Sequence, residues 1–316
     1  MIEARLIGPR QFEFVESPTP EPGPGEVLLQ IGAVAVCGSE FAPYLGLATE
    51  FPLYRGVLKY PRRIGHEASA VVAALGPGVK GLEVGQAVMP IHSVFATHAL
   101  VRADAGLVPI PAGVSLEHAA LGYMGFETYF LCREMLRIEP ADRVLIIGLG
   151  PFGALCLEQV REIGCHTIVG IDLDEQRLAL ARELGVTHTF SDSRDAMDLQ
   201  PSVVIESTGQ SKPIQDALRV AANGATVALA GRPYRPLNDF TIEDVFQKFL
   251  TVIGGKIPSR GYAPEYRGKA LEMIRDGRIH ADRLVSHVLP LRRVGEAFDI
   301  AIARGGMKVV VDCRAV

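Results

Sequence analysis

Cys37, His66 and Glu67 offer a thiolate, an imidazole and a carboxylate, the donor types that zinc takes. Three such ligands with a fourth position open make a catalytic rather than a structural centre. Yet 29 positions separate Cys37 from His66, which is no local metal knuckle. On these residues alone, a buried structural cysteine and a hydrogen-bonded histidine in a β-rich domain are the plainer reading. A second group points to different chemistry. Gly148, Gly150 and Gly153 stand in GLGPFG, and Asp172 follows Gly148 by 24 positions. The first glycine allows a tight turn, the second lets the backbone approach a pyrophosphate, and the third lets a helix pack against a sheet. Free N–H groups at that helix N-terminus suit the anion, and the carboxylate suits an adenosine ribose.

The elements around the glycines decide between this and a glycine-rich turn of some other α/β sheet. Residues 144–147 are a short apolar β-branched run, a buried parallel strand; an amphipathic helix runs to 163, and a second strand, 167–171, ends on Asp172. Strand, glycine turn, helix, strand and acid in that order are the context of a dinucleotide-binding unit. The carboxylate of Asp172 accepts from both ribose hydroxyls of NAD and repels the extra phosphate of NADP. Leu173 follows it, so no adjacent arginine awaits that phosphate, and NAD is the expected cofactor.

Alternation continues downstream with helices at 175–184 and 213–222 and strands at 187–190, 203–206, 225–230 and around 252, which predicts a parallel, doubly wound sheet. Residues 1 to about 110 are punctuated by glycine and proline and read as mostly β, with strands at 26–36 and 68–74. Residues 41–64 read as a long loop, and 116–136 as one helix leading into the dinucleotide unit. The tail mixes helices (266–276, 293–303) with strands (285–289, 308–313) that return to the first domain.

A length of 316 residues accommodates two domains, and a net charge of −4 gives no reason to expect nucleic acid or an anionic membrane as partner. Five scattered cysteines are no disulfide framework, the N-terminal stretch lacks the apolar core of a signal peptide, and no apolar run reaches membrane-spanning length. A cytoplasmic protein is expected.

Taken together, VAVCGSE near residue 37, IGHEASAVVAALGPGVKGLEVGQAV from Ile64, VLIIGLGPFG from Val144 and GIDLDEQRLALARELGVTH from Gly170 resemble the medium-chain dehydrogenase/reductase superfamily, in its zinc alcohol, polyol and threonine dehydrogenase branch. VVIESTG from Val203, VALAGRP from Val227 and LVSHVLPLRRVGEAFD near the end extend the likeness over nearly the full length. The resemblance implies an α/β protein: a GroES-like β-rich catalytic domain from residues 1–124 and 257–316, and a Rossmann doubly wound parallel sheet from 125–256. It implies that Cys37 and His66 are catalytic zinc ligands, with Glu67 a ligand or its neighbour, and that Ser39 passes the substrate proton. It places Thr128 at the nicotinamide. Its cofactor-binding set is Gly148, Gly150, Pro151, Phe152, Gly153, Asp172, Arg177 near the ribose, Thr208, and Lys308 near the pyrophosphate. The implied reaction interconverts a secondary alcohol (of a polyol, sugar, cyclitol or secondary metabolite) and a ketone by hydride transfer to or from NAD. A homodimer or homotetramer follows from the same likeness, joined at a Rossmann sheet edge near 227–233.

The departures shape the alternatives. Met124 stands where the family has a third zinc ligand, Ala42 replaces a proton-relay histidine, and the four-cysteine structural zinc lobe is absent. A thioether is a poor zinc donor. Beside the zinc-assisted dehydrogenase therefore stand a metal-free reductase using Ser39, Tyr123 or His66 for the proton, and a silent NAD-binding sensor or scaffold.

Overall fold

The computed structural model describes the chain apart from residues 48–58, 92, 234–236, 239 and 256–263. It divides into two compact units, Met1–Phe126 with Tyr262–Val316, and Glu127–Gly261. The second junction expected from sequence, at 256/257, and residues 48–58 of the loop at 41–64 lie outside the described residues. Those of its residues that are described begin with a short helix, Phe41–Leu45. Among the described residues no helix is long and apolar enough to cross a membrane.

The first unit holds a seven-stranded sheet running Val285–Pro290, Lys308–Asp312, Glu26–Ala35, Glu67–Leu75, Ala87–Met89, Val108–Pro109, with His98–Arg102 also paired to Glu26–Ala35. Both chain ends thus build one sheet, with Val310 opposite Ala35. The central strand, EVLLQIGAVA, is apolar almost throughout because the sheet is covered on both faces. A bulge between Ile31 and Ala33 reverses its alternation. Leu29, Ile31, Val34 and Val36 enter the core of Phe95, Phe298 and Val309, while Ala33 and Ala35 pack with Ala120. Gly32 sits at the bulge, where a Cβ would stand 2.5 Å from Leu116 Cδ1, so glycine lets the strand close on the neighbouring helix.

The single helix expected over 116–136 is broken. Ser115 caps Leu116–Ala119 by accepting from the His118 N–H; Gly122–Phe130 follows, and then a π-helical turn, Leu131–Met135. Two glycines in LGYMG weaken helix continuity, and a Cβ at Gly122 would collide with Met89 and Leu271. Close packing won over a regular helix.

The second unit is a six-stranded parallel sheet in the order His188–Phe190, Thr167–Ile171, Arg143–Ile147, Val203–Glu206, Thr226–Leu229, Thr251–Gly254. The order reverses between Arg143–Ile147 and Val203–Glu206, the switch point where such sheets take ligands. Leu145, Val169, Val204, Leu218 and Val227 fill its core. The strand Thr226–Leu229 is interior and Thr251–Gly254 forms the edge, which corrects the edge expected near 227–233.

Candidate functional site

Strand register brings the distant donors of the first unit together. Ala35 lies opposite Glu67, so Cys37, two residues past the end of its strand, meets His66 and Glu67 at the start of theirs. Lys308 opens the strand on the other side. Gly65 has a φ of 112°, and a Cβ there would stand 3.0 Å from the Phe95 backbone nitrogen, so glycine is required to turn the chain into His66. One potential ligand atom from each of Cys37, His66 and Glu67 lies within 4.8 Å of the others. Zinc bonds of about 2.0–2.3 Å set tetrahedral ligand atoms somewhat closer than this, so modest adjustment encloses the ion and leaves a fourth position open.

The surroundings suit a cation. The Nδ1 of His66 lies 3.1 Å from Glu40 Oε1, which also accepts the Gly65 N–H. With Nδ1 so engaged, Nε2 is left for a metal, the arrangement in which a carboxylate orients a ligating histidine. Glu40 Oε2 is buried with no hydrogen-bond partner among the described residues. The Ser39 hydroxyl donates to Cys37 Sγ at 3.2 Å, and the Tyr123 ring stands edge-on to His66 with centroids 5.8 Å apart. Lys308 pairs with Glu67, both almost fully buried. With the Cys37 and His66 protons displaced, a thiolate, Glu40 and Glu67 would face Lys308, and a divalent cation would balance them; without one, a charged His66 and a neutral Cys37 thiol keep the group balanced. Burial, reinforced by the charge of Glu67, pushes the Cys37 thiol above its ordinary value. Burial disfavours the His66 cation, but hydrogen bonds with Cys37 and Glu40 outweigh it and raise the imidazole to about 12.

Lys308 therefore has a partner other than the one expected: its ammonium is buried against Glu67 rather than free for a pyrophosphate. Met124 is buried on its helix, and Thr128, fully buried on the same helix, belongs to the second unit.

In the second unit, Ile147 lies opposite Glu206, so the glycine turn and the Ser207–Gly209 turn leave adjacent strands side by side. Gly148 has a φ of 88°, and a Cβ on it would meet Thr208 Cγ2 at 2.6 Å. Gly150 caps the helix Pro151–Ile163, whose first turn holds Pro151 and Phe152, and a Cβ on it would meet only Arg177, at 3.6 Å. A Cβ on Gly153 would stand 1.9 Å from the Gly148 carbonyl oxygen, so this residue holds the turn closed. Asp172 Oδ2 accepts the Leu149 N–H at 2.8 Å and Oδ1 accepts the Asp174 N–H at 3.0 Å. Arg177 lies 3.7 Å from Asp172, so an arginine does flank that carboxylate from one helical turn on. The structure thus gathers the glycines, Asp172, Arg177 and Thr208 within one unit, and Cys37, Ser39, His66, Glu67 and Lys308 within the other.

Glu40 and Glu206 escaped the sequence reading. Glu40 stands three residues past Cys37, and Glu206 is an acid closing the otherwise apolar run VVIE; each position was a signal.

The family pattern described as "Alcohol dehydrogenase GroES-like domain" matches residues 23–139, and that described as "Zinc-binding dehydrogenase" matches 151–275. The chain is 28% identical to 2-dehydro-3-deoxy-L-galactonate 5-dehydrogenase of Pseudoalteromonas atlantica, over 100% of this chain and 99% of the relative. It is 26% identical to sorbitol dehydrogenase of Rattus norvegicus, over 97% and 94% of the two chains. Its fold matches the structure of galactitol-1-phosphate dehydrogenase from Escherichia coli with a TM-score of 0.84 at 22% identity, covering 99% and 100%. Two domain patterns in order, full-length relatives and the shared fold agree: the chain belongs to the zinc-type alcohol dehydrogenase family of medium-chain dehydrogenase/reductases.

Proposed function

We propose that this chain is an NAD-dependent oxidoreductase that interconverts a secondary alcohol and a ketone, with a polyol, sugar, cyclitol or secondary-metabolite hydroxyl as substrate, and that it holds one catalytic zinc. The observation that carries the proposal is the convergence of Cys37, His66 and Glu67. Relatives named for a sugar-acid and a sorbitol dehydrogenase activity support the substrate class. When bound, zinc supplies a Lewis acid for the substrate oxygen and NAD the hydride acceptor.

The chain's own residues do the rest. Glu40 holds the His66 ring by Nδ1, and Lys308 holds Glu67 in place. Ser39, whose hydroxyl already donates to Cys37 Sγ, is the group to take the substrate hydroxyl proton. Asp172, with each oxygen oriented by a backbone N–H, accepts the ribose hydroxyls and favours NAD over NADP. Thr128 meets the nicotinamide. Met124 need not ligate, because three protein donors with an open position suffice for a catalytic site. Residues 90–97, between the strands Ala87–Met89 and His98–Arg102, hold no cysteine, so one zinc rather than two is the expectation.

The exposed edge strand Thr251–Gly254, beside Phe246 and Phe249 at 77% and 82% exposure, suits edge-to-edge pairing with a second copy, and we assign the dimer contact there. The test is a panel of secondary alcohols and ketones run with NAD and NADP. Turnover of a polyol or sugar hydroxyl with NAD, and a shift toward NADP in Asp172→Ala, is the expected result. NADH binding without turnover of any member would turn the assignment to a silent NAD binder.

A further inference from the structure

Glu206 closes the strand Val203–Glu206, is fully buried, and has no cation paired with it among the described residues. A buried carboxylate without a counter-charge is costly unless hydrogen-bonded. Among the described residues, its side-chain donors all come from Thr208 and Gly209: the Thr208 N–H at 2.7 Å, the Thr208 hydroxyl, and the Gly209 N–H at 3.1 Å from each oxygen. The interactions of this carboxylate thus go into the shape of one turn.

That turn is wedged on both sides. Gly209 has a φ of 67°, and a Cβ on it would stand 2.5 Å from the Arg232 carbonyl; a Cβ on Gly231 would stand 2.0 Å from the Gly209 nitrogen. On the other side the Ser207 hydroxyl donates to the Gly148 carbonyl at 2.7 Å and to the Ile147 carbonyl at 3.1 Å. Thr208 Cγ2 fills the space where a Cβ on Gly148 would lie. Gly148 begins the glycine turn, so the Ser207–Gly209 turn is the wall against which that turn is set. Desolvation raises the carboxyl of Glu206, and the Thr208 and Gly209 donors pull it back.

We propose that Glu206 is a positioning residue of the dinucleotide site, holding the Ser207–Gly209 turn so that Gly148 keeps the geometry that receives the pyrophosphate. An apolar residue would occupy the end of the strand at less cost but leave the Thr208 and Gly209 donors without an acceptor. The proposal rests on the dinucleotide reading above. It concerns binding and makes no claim on the chemistry of the alcohol.

The experiment titrates NADH, and NADPH in parallel, into the full-length parent, Glu206→Gln and Ser207→Ala, following cofactor fluorescence, with melting temperature and zinc content measured on each sample. In Glu206→Gln an amide N–H faces the turn's donors, and the NADH Kd is expected to rise about tenfold. Ser207→Ala, which severs the link to Gly148 and leaves Glu206 intact, is expected to weaken NADH by a smaller factor in the same direction. Zinc content and melting temperature stay near parent values in both. A Kd within about twofold of the parent in both variants would overturn the proposal. Should Glu206→Gln fail to fold, Ser207→Ala decides by the same criterion. A parent that binds neither dinucleotide overturns the cofactor reading itself, and that failure appears in the parent rather than in the variants.

Discussion

Lys308 and Glu67 form an ion pair in which the lysine is 2% and the glutamate 1% exposed, at the edge of the candidate metal centre. Removing one member of such a pair strands the other charge and costs about 3–5 kcal/mol. A cation bound by Glu67 would replace much of what Lys308 supplies. Lys308→Met is therefore expected to destabilise the metal-free protein more than the zinc-loaded one, so that added zinc raises its melting temperature further than the parent's. Equal losses in both forms would show that Glu67 does not ligate.

Glu40 meets His66 Nδ1 and the Gly65 N–H. Outer-shell partners of this kind are worth about 10–100-fold in metal affinity. Glu40→Ala should weaken zinc binding by a factor in that range, measured by competition with a chromogenic chelator. Unchanged affinity would remove Glu40 from the centre.

Tyr44 gives the pH prediction. Its buried hydroxyl donates to Asp299 at 3.0 Å and to the Gly295 carbonyl at 3.1 Å. Burial first, then the Asp299 hydrogen bond, push its phenol up to about 12, against the opposing charge of Arg10. The neutral form is the one the fold favours. Its contribution is complete below the unfolded value of about 10 and is lost as pH rises toward the folded one. The parent's melting temperature should fall more steeply than that of Tyr44→Phe between these limits. At neutral pH the variant should be less stable by about 1–2 kcal/mol, from the lost hydrogen bonds. Parallel curves would contradict the assignment.

How far each site could be read in advance follows from how local it is. Gly148 to Asp172 is one strand–helix–strand passage, so its turn, helix and acid lie within a single stretch of chain, and the observed strand ends fall on the expected residues. The metal donors depend on a register. Cys37 and His66 meet only because Ala35 pairs with Glu67, and the bulge at Gly32 has already reversed which face each residue takes. Periodicity cannot see a bulge. Lys308 arrives from the far end of the chain through a third strand, so nothing in its sequence neighbourhood announces Glu67 as its partner. The helix over 116–136 failed for a related reason: packing at Gly122 is set by Met89 and Leu271, both distant in sequence.

The most direct test of the central claim is the zinc content of protein purified without chelator, measured for the parent and for Cys37→Ser/His66→Ala. The expected result is about one zinc per chain in the parent and none above background in the variant, with the variant still binding NADH. A parent without zinc, even after incubation with the metal, would contradict the account and leave Ser39 and Tyr123 as the groups to test for proton chemistry.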